Sequence, residues 1–315
     1  MTRSTLFALT KLAVSIALLA LVMQGIDLSG VQTRLKSASP FGLFLALLCA
    51  LIEVILAAWR WIIVTEALCG VRMSIGRTVG LAAIGSLVGQ VLPSTVGGDV
   101  VRIGFLAQVV GYELGARSVI ADRLIGLLAL SVLALVSVGA LLLCGLDHPA
   151  LLIPVAIAIS VLGAAGLLVA IAPFRERLPN KFAAILTPAM DLRKLLSSRS
   201  AQFAILVSML GHLLAIVSFL ALAMAISFDE VTPGTLALFV SPSLLVSAVP
   251  VSIGGWGVRE GAFSAGLATL GVGVNGPIII SVLFGLTAIV SSSLASVCWF
   301  LARSPASQPK PSGST

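Results

Sequence analysis

Long apolar runs, broken by short polar segments, make up most of this 315-residue chain. A helix needs roughly 20 consecutive apolar residues to cross the ~30 Å hydrocarbon core of a bilayer. Runs of that length predict six full membrane spans, at about 5–24, 41–64, 118–144, 149–172, 201–226 and 277–301. The first run contains Lys11 and no small-residue cleavage site, so we predict an uncleaved span there rather than a signal peptide.

Four shorter apolar segments occur in two pairs, 78–92 with 100–113 and 234–249 with 260–273. Helices of about 13–16 residues extend only about 20–24 Å, which is too short for a full crossing. Each pair is interrupted by the pattern P-x-x-x-G-G-x-x-x-R, as PSTVGGDVVR from Pro93 and as PVSIGGWGVR from Pro250. Because proline and paired glycines are poor helix formers, we predict two re-entrant helical hairpins with these motifs at their tips.

The basic residues of the loops indicate the orientation in the membrane. If the N-terminus is cytoplasmic, the external loops hold only two basic residues, Arg34 and Lys36. The cytoplasmic segments then hold twelve: Arg3, Arg72, Arg77, Arg117, Arg175, Arg177, Lys181, Arg193, Lys194, Arg199, Arg303 and Lys310. This bias favours cytoplasmic N- and C-termini, provided that each hairpin returns to the side from which it enters. A pair of short slanted crossings would give the same parity.

The order span, span, hairpin, span occurs twice, over 1–145 and 149–303, followed by a predicted disordered cytoplasmic tail at 304–315. Each half makes three full crossings, so the second half enters the membrane inverted relative to the first. Inverted repeats whose broken helices meet near the bilayer midplane are typical of secondary transporters. The predicted fold class is therefore an all-α polytopic membrane protein with six full spans plus two re-entrant hairpins.

Composition excludes several other classes of protein. The chain is 59% hydrophobic and 10% charged, whereas soluble domains carry about 25% charged residues. The net charge of +7 is accounted for by cytoplasmic loops, so no nucleic-acid partner is predicted. Four scattered cysteines and two histidines form no metal-ligand pattern, and no metal or cofactor is predicted. No nucleotide-binding loop or catalytic motif occurs, so we do not expect an enzyme.

Two arginines, Arg102 and Arg259, end the duplicated motifs. An arginine at membrane depth costs at least about 2.5–3.5 kcal/mol and usually faces a partner or a cavity. In one interpretation, ion pairs with Asp99 and Glu260 keep each hairpin folded. In the other, both guanidinium groups line a polar cavity and bind an anionic group, because their planar fork fits phosphate oxygens. The backbone N–H groups expected to approach the same ligand are those of Gly97, Gly98, Gly254 and Gly255.

Further charged residues lie within the predicted spans. Glu53, near the middle of the second span, is expected to carry a proton, to pair with Arg102 or Arg123, or to relay protons. Arg60 lies two helical turns later between tryptophans, and we interpret it as an interfacial anchor. Asp122 and Arg123 begin the third span, where they would close a gate or cap the helix. We expect ion pairing or proton coupling at Glu53, Asp99, Asp122, Arg123 and Glu260.

Three stretches, QVLPSTVGGDVVRIGFL (90–106), SVIADRLIGLLAL (118–130) and PVSIGGWGVREGAF (250–263), resemble the lysylphosphatidylglycerol synthase transmembrane, or flippase-like, family. The likeness covers essentially the full length. The residues that match its conserved blocks are Pro93, Gly97, Arg102 and Arg123, and then Pro250, Gly254, Gly255, Gly257, Arg259, Glu260 and Gly261. Asp99 and Asp122 stand where many members carry glutamate, and these changes preserve the charge.

The resemblance implies lipid translocation, by a stand-alone form without the soluble aminoacyltransferase domain found in some members. We therefore predict a bacterial inner-membrane transporter for a lipid with an anionic headgroup, such as a phospholipid, an aminoacylated phospholipid or another envelope lipid. The alternative is a non-transporting membrane subunit that presents lipid to, or scaffolds, a separate synthase or glycosyltransferase. The expected partners are membrane lipids and, in the alternative, that lipid-modifying enzyme.

Overall fold

The computed structural model of the protein describes residues 28–91, 97–177 and 187–301, together with Ala13 and Ala17. Regular structure in this part of the chain is helical. Its α-helices are α1 (Leu28–Lys36), α2 (Pro40–Cys69), α3 (Ile75–Val91), α4 (Gly97–Val110), α5 (Tyr112–Leu143), α6 (Leu152–Ile171), α7 (Thr187–Leu196), α8 (Arg199–Ala225), α9 (Pro233–Ser247), α10 (Val258–Ala268) and α11 (Asn275–Leu301). Short 3₁₀ turns at Pro149–Leu151 and Ala172–Arg177 flank α6.

Five of the described helical segments are long and apolar enough to cross a membrane. They are Pro40–Cys69, Tyr112–Leu143, Pro149–Phe174, Gln202–Ala225 and Asn275–Trp299. The predicted class of all-α polytopic membrane protein is thereby confirmed. The predicted first span at 5–24 and the predicted tail at 304–315 lie outside the described residues.

The spans that carry the charged residues are longer than the apolar pattern predicts. Helix α2 begins at Pro40, which fits the first helical turn, and ends before Gly70, whose φ of 69° only glycine adopts readily. Helix α5 begins at Tyr112, six residues before the predicted start at 118. Polar residues such as Glu66 and Arg117 mark the ends of the apolar runs. The helices continue through them because their backbone hydrogen bonds do not depend on side-chain polarity.

The short arms pack in pairs, α3 against α4 and α9 against α10. Helix α4 begins at Gly97, so the paired glycines of the first motif form its first turn instead of the predicted tip. Gly98 lies directly against the backbone of Gly85 on α3, where an added Cβ would approach the Gly85 carbonyl carbon to 2.7 Å. Glycine is required at this contact because the two helix backbones touch. Pro93, the start of the first motif, lies outside the described residues.

The tip of the second hairpin is a glycine turn. Gly254, Gly255 and Gly257 have φ angles of 57°, 80° and 82°, a backbone region that other residues adopt only with strain. An added Cβ on Gly254 would lie 2.8 Å from the side-chain oxygen of Gln90, near the end of α3. The tip of the second hairpin thus lies against the inner end of the first hairpin's leading arm.

Helix packing in one half of the chain has a counterpart in the other half. Helix α3 packs on α11 as α9 packs on α5, α4 on α5 as α10 on α11, and α2 on α3 as α8 on α9. Helices α2 and α8, which would correspond, pack directly against each other. If each helix of one half is replaced by its counterpart in the other half, the pattern of these contacts stays the same. The inverted repeat over 1–145 and 149–303 stays a prediction, because packing alone does not show from which side each half enters.

The short helix α7 is fixed to the end of α5 by an ion pair. The Nε and Nη2 atoms of Arg117 donate to the two carboxylate oxygens of Asp191 at 2.7 and 2.6 Å. Such a two-pronged contact holds both planar groups in one orientation. Arg117, one of the predicted cytoplasmic residues, therefore joins the segment between α6 and α8 to the helix bundle.

Candidate functional site

A polar cavity of about 420 Å³ lies between α2, α3, α5 and the tip of the second hairpin. Its wall includes five charged side chains, Glu53, Arg60, Arg102, Asp122 and Arg123. Polar side chains and glycines complete it, among them Ser86, Gln90, Ser247, Ser252, Gly254 and Gly255. The charged side chains come from three helices, α2, α4 and α5.

The charged residues are far from the helix ends. Arg60 lies nine residues before the end of α2 at Cys69, and Asp122 lies ten residues after the start of α5 at Tyr112. At 1.5 Å per residue these separations are about 14 and 15 Å along the helix axes. Both helix ends are predicted to be on the cytoplasmic side, so the cluster lies at a similar depth on the two helices.

Asp122 is the centre of the cluster. Arg60 donates to it from Nε to Oδ1 at 2.7 Å and from Nη2 to Oδ2 at 3.3 Å. Arg102 donates from Nη2 to Oδ2 at 2.7 Å. The aspartate is only 1% exposed, so its charge is compensated by these two arginines rather than by water. Arg60 is thus a member of the site, and its interpretation as an interfacial anchor was wrong.

Arg102 combines strong contacts with one unused donor. Its guanidinium carbon lies 4.0 Å from the centre of the Trp61 ring, and its Nη1 lies 3.8 Å from Asp99 Oδ1. The Trp61 ring is itself fixed by a hydrogen bond from its Nε1 to Ser118 Oγ at 3.2 Å. Among the described residues, the buried Nε of Arg102 has no hydrogen-bond partner. A buried guanidinium N–H that has no acceptor within the protein favours binding of a ligand that supplies one.

Arg123 is the accessible arginine of the cavity. Its Nε and Nη2 donate to Asp99 Oδ1 at 3.1 and 3.0 Å, while 59% of its side chain remains exposed. Three guanidinium groups, of Arg60, Arg102 and Arg123, thus meet only two carboxylates, those of Asp99 and Asp122. These paired residues therefore carry one positive charge in excess, and the remaining carboxylate of the wall, that of Glu53, is in contact with none of the three arginines.

Glu53 takes no part in these pairs. Within the described residues, no basic side chain lies at ion-pair distance from its carboxylate. The expected pairing with Arg102 or Arg123 is not what the structure shows, because those arginines pair with Asp122 and Asp99. Glu53 lies in the wall of this cavity and also in the wall of a smaller neighbouring chamber.

Arg259, the second motif arginine, lies in an enclosed ion pair. Its Nη2 donates to Glu260 Oε1 at 2.6 Å and its Nε to Ser281 Oγ at 3.1 Å. The other carboxylate oxygen of Glu260 accepts a hydrogen bond from the Gly257 N–H at 2.6 Å, which closes the first turn of α10. Glu260 is fully buried and Arg259 nearly so, with Phe284 flanking the guanidinium. The pair fits the interpretation that it keeps the hairpin folded.

The structure thus divides the predicted ligand-binding residues. Arg102, Gly254 and Gly255 line the cavity, whereas Gly97, Gly98 and Arg259 are not part of its wall. A substrate role for Arg259 stays a prediction. Arg60 was not among the site residues predicted from the sequence. The available signal was its position two helical turns after Glu53, which places both on a similar face of α2.

The long apolar helices define a polytopic membrane protein, and a polar, arginine-lined cavity lies between its helices. Residues 8–296 match the family described as the lysylphosphatidylglycerol synthase TM region, and the chain belongs to this family. No curated protein matches the chain. The resemblance noted from the motifs is confirmed, and the family is one of membrane proteins of lipid metabolism or transport.

Proposed function

We propose that this protein moves a lipid with an anionic headgroup between the leaflets of the bacterial inner membrane, with both termini in the cytoplasm. The observation that supports this function is the cavity with its excess of guanidinium groups at membrane depth. Arginine is costly in hydrocarbon, so a cluster of three that share only two contacting carboxylates supports a passing anionic ligand.

The headgroup would be bound by the donors that the protein leaves available. Arg102 Nε is buried without a partner, and Arg123 is half-exposed and shares a single oxygen of Asp99. A phosphate presents several oxygens and accepts two parallel hydrogen bonds from one guanidinium group. The cavity volume of about 420 Å³ is within the usual range of roughly 300–1,000 Å³ for small-molecule sites. It accommodates a headgroup while the acyl chains stay in the lipid phase.

Movement between leaflets requires the cavity to open in turn to each side. The contact between Gly254 and Gln90 joins the two hairpins at the cavity wall. In transporters built from two related halves, such tips separate when the halves rock about the binding site. In the opposite state, the Arg259–Glu260 pair would open and Arg259 would bind the headgroup, as Arg102 does in the first half.

Reconstituted liposomes test this function. We expect the purified chain to move fluorescent phosphatidylglycerol faster than phosphatidylcholine. The Arg123→Gln variant should lose most of this activity, because it removes a guanidinium group that binds the headgroup. Since this side chain is exposed, its replacement leaves the packing of the helix bundle intact. Arg102→Lys should also lose activity, because it keeps the charge but not the fork. Arg72→Gln is the matched control, since Arg72 is 82% exposed outside the cavity.

Two outcomes would overturn the proposal. Equal transport of both lipids by all variants would exclude the arginine cavity as the headgroup site. Binding of phosphatidylglycerol without any movement by the isolated chain would favour the alternative, a subunit that presents lipid to a separate enzyme.

A further inference from the structure

A second chamber, of about 190 Å³, adjoins the arginine-lined cavity between α2, α3 and α11. The two spaces share the side chains of Glu53, Ser86 and Gln90 in their walls. On the far side, α11 contributes Ser291 and Ser292. The function proposed above uses none of the side chains that α11 contributes here.

The polar wall of this chamber consists almost entirely of oxygen atoms. Glu53 is its only charged residue, and serine hydroxyls and the Gln90 amide supply the other polar groups. Ser292 is 1% exposed. Among the described residues, its hydroxyl and the Gln90 side-chain oxygen are buried and have no hydrogen-bond partner. Buried oxygens without a donor require a positively charged or hydrogen-donating occupant.

Among the described residues, no arginine makes an ion pair with Glu53. All three guanidinium nitrogens of Arg60, the basic residue nearest to Glu53 along α2, are engaged: Nε and Nη2 by Asp122, and Nη1 by Ser208 at 3.3 Å. Arg102 and Arg123 bind Asp122 and Asp99. A carboxylate within a span is costly without a counter-charge in contact, so a cation bound directly beside Glu53 would be stabilised.

We propose that the chamber binds a sodium ion through the Glu53 carboxylate and the Ser292 hydroxyl, with further oxygens from Gln90 and Ser86. Small hard cations take carboxylate, hydroxyl and carbonyl oxygens as ligands. Secondary transporters bind their coupling ions beside the broken helices that bind substrate. Because Glu53 lies in the wall of both spaces, sodium neutralises the carboxylate that would otherwise repel an anionic headgroup in the adjacent cavity. The ion thereby favours headgroup binding. This inference reaches beyond lipid movement, since ion binding to the purified chain requires no transport.

Thermal unfolding of the purified protein in nanodiscs tests the site. Sodium chloride is titrated against choline chloride at constant ionic strength, with potassium chloride as a second series. A ligand that binds only the folded state raises its stability with concentration. We therefore expect the unfolding temperature to rise and saturate with sodium, and to rise much less with potassium.

Two variants locate the effect. Glu53→Gln and Ser292→Ala should each abolish the sodium-dependent rise, and Ser292→Ala removes a single oxygen, so it decides the matter if Glu53→Gln does not fold. Ser293→Ala is the matched control, because Ser293 is an exposed neighbour on α11 that donates to Ile289 O at 2.8 Å. It should retain the full rise. The assignment would be overturned if sodium did not specifically raise the unfolding temperature of the wild type. It would also be overturned if both test variants kept that rise.

The sodium site and the lipid transport function can fail separately. A sodium-specific rise in a protein that moves no lipid would leave the ion site standing and remove the transport function. Selective movement of phosphatidylglycerol without any sodium effect would support the transport function and remove the ion site.

Discussion

The buried carboxylate of Asp122 offers the sharpest test of the arginine cluster. Replacing it by asparagine keeps the size of the side chain and removes its charge. Arg60 and Arg102, whose shortest contacts to Asp122 are both 2.7 Å, then remain in the helix bundle without their main counter-charge. The amide oxygen of asparagine still accepts a hydrogen bond from one of them, so the loss is partial.

The size of the effect follows from burial. Breaking a buried ion pair by removing one partner costs about 3–5 kcal/mol. Since one hydrogen bond is retained, we expect Asp122→Asn to lower the free energy of unfolding by about 3 kcal/mol, the lower end of that range. At 1.4 kcal/mol per factor of ten, this change lowers the ratio of folded to unfolded protein about 100-fold.

Equilibrium unfolding by SDS in mixed micelles measures this difference. Asp191→Asn is the matched comparison, because Asp191 also binds an arginine fork at 2.6 and 2.7 Å, but Arg117 is about a third exposed at the helix end. A partly solvated pair contributes only about 1 kcal/mol or less. An Asp122→Asn variant no less stable than Asp191→Asn would refute the reasoning that Asp122 is the buried counter-charge of Arg60 and Arg102.

Two further predictions concern the hairpins and the topology. Gly98→Ala should cost about 1–3 kcal/mol of stability, because the added Cβ would meet the Gly85 backbone. Gly104→Ala on the same helix is the control, since its Cβ meets nothing within 4 Å, and it should be neutral or stabilising. Thermal unfolding of the two variants measures the difference. Single cysteines at Ser74 and Asp229, in a background without the native cysteines, should react with an impermeant thiol reagent from opposite sides of the membrane. Reaction of both from one side would contradict the predicted orientation.

The apolar pattern predicted the five described membrane spans well, because the lengths of such spans are set by the bilayer and not by tertiary detail. It also identified the short arms, because a proline and paired glycines interrupt the apolar pattern at each motif. It was less accurate at helix ends: α5 begins at Tyr112, so Asp122 lies well inside the helix and is neither a cap nor at its start.

The partners of the charged residues could not be predicted in the same way. Arg60 and Asp122 are 62 positions apart and on different helices, and only the packing of α2 against α5 brings them together. In the sequence, an arginine between Trp59 and Trp61 has the pattern of an interfacial anchor. In the structure, however, Trp61 is fully buried against Arg102. Arg259 and Glu260 are adjacent in sequence, and this pairing was foreseen.

The most direct test of headgroup binding is the lipid that co-purifies with the protein, measured by native mass spectrometry after gentle extraction. We expect the wild type and the Arg72→Gln control to retain an anionic phospholipid, and Arg123→Gln to lose it. Equal retention by Arg123→Gln, or enrichment of a zwitterionic lipid in the wild type, would contradict the assignment of the arginine-lined cavity as the headgroup site.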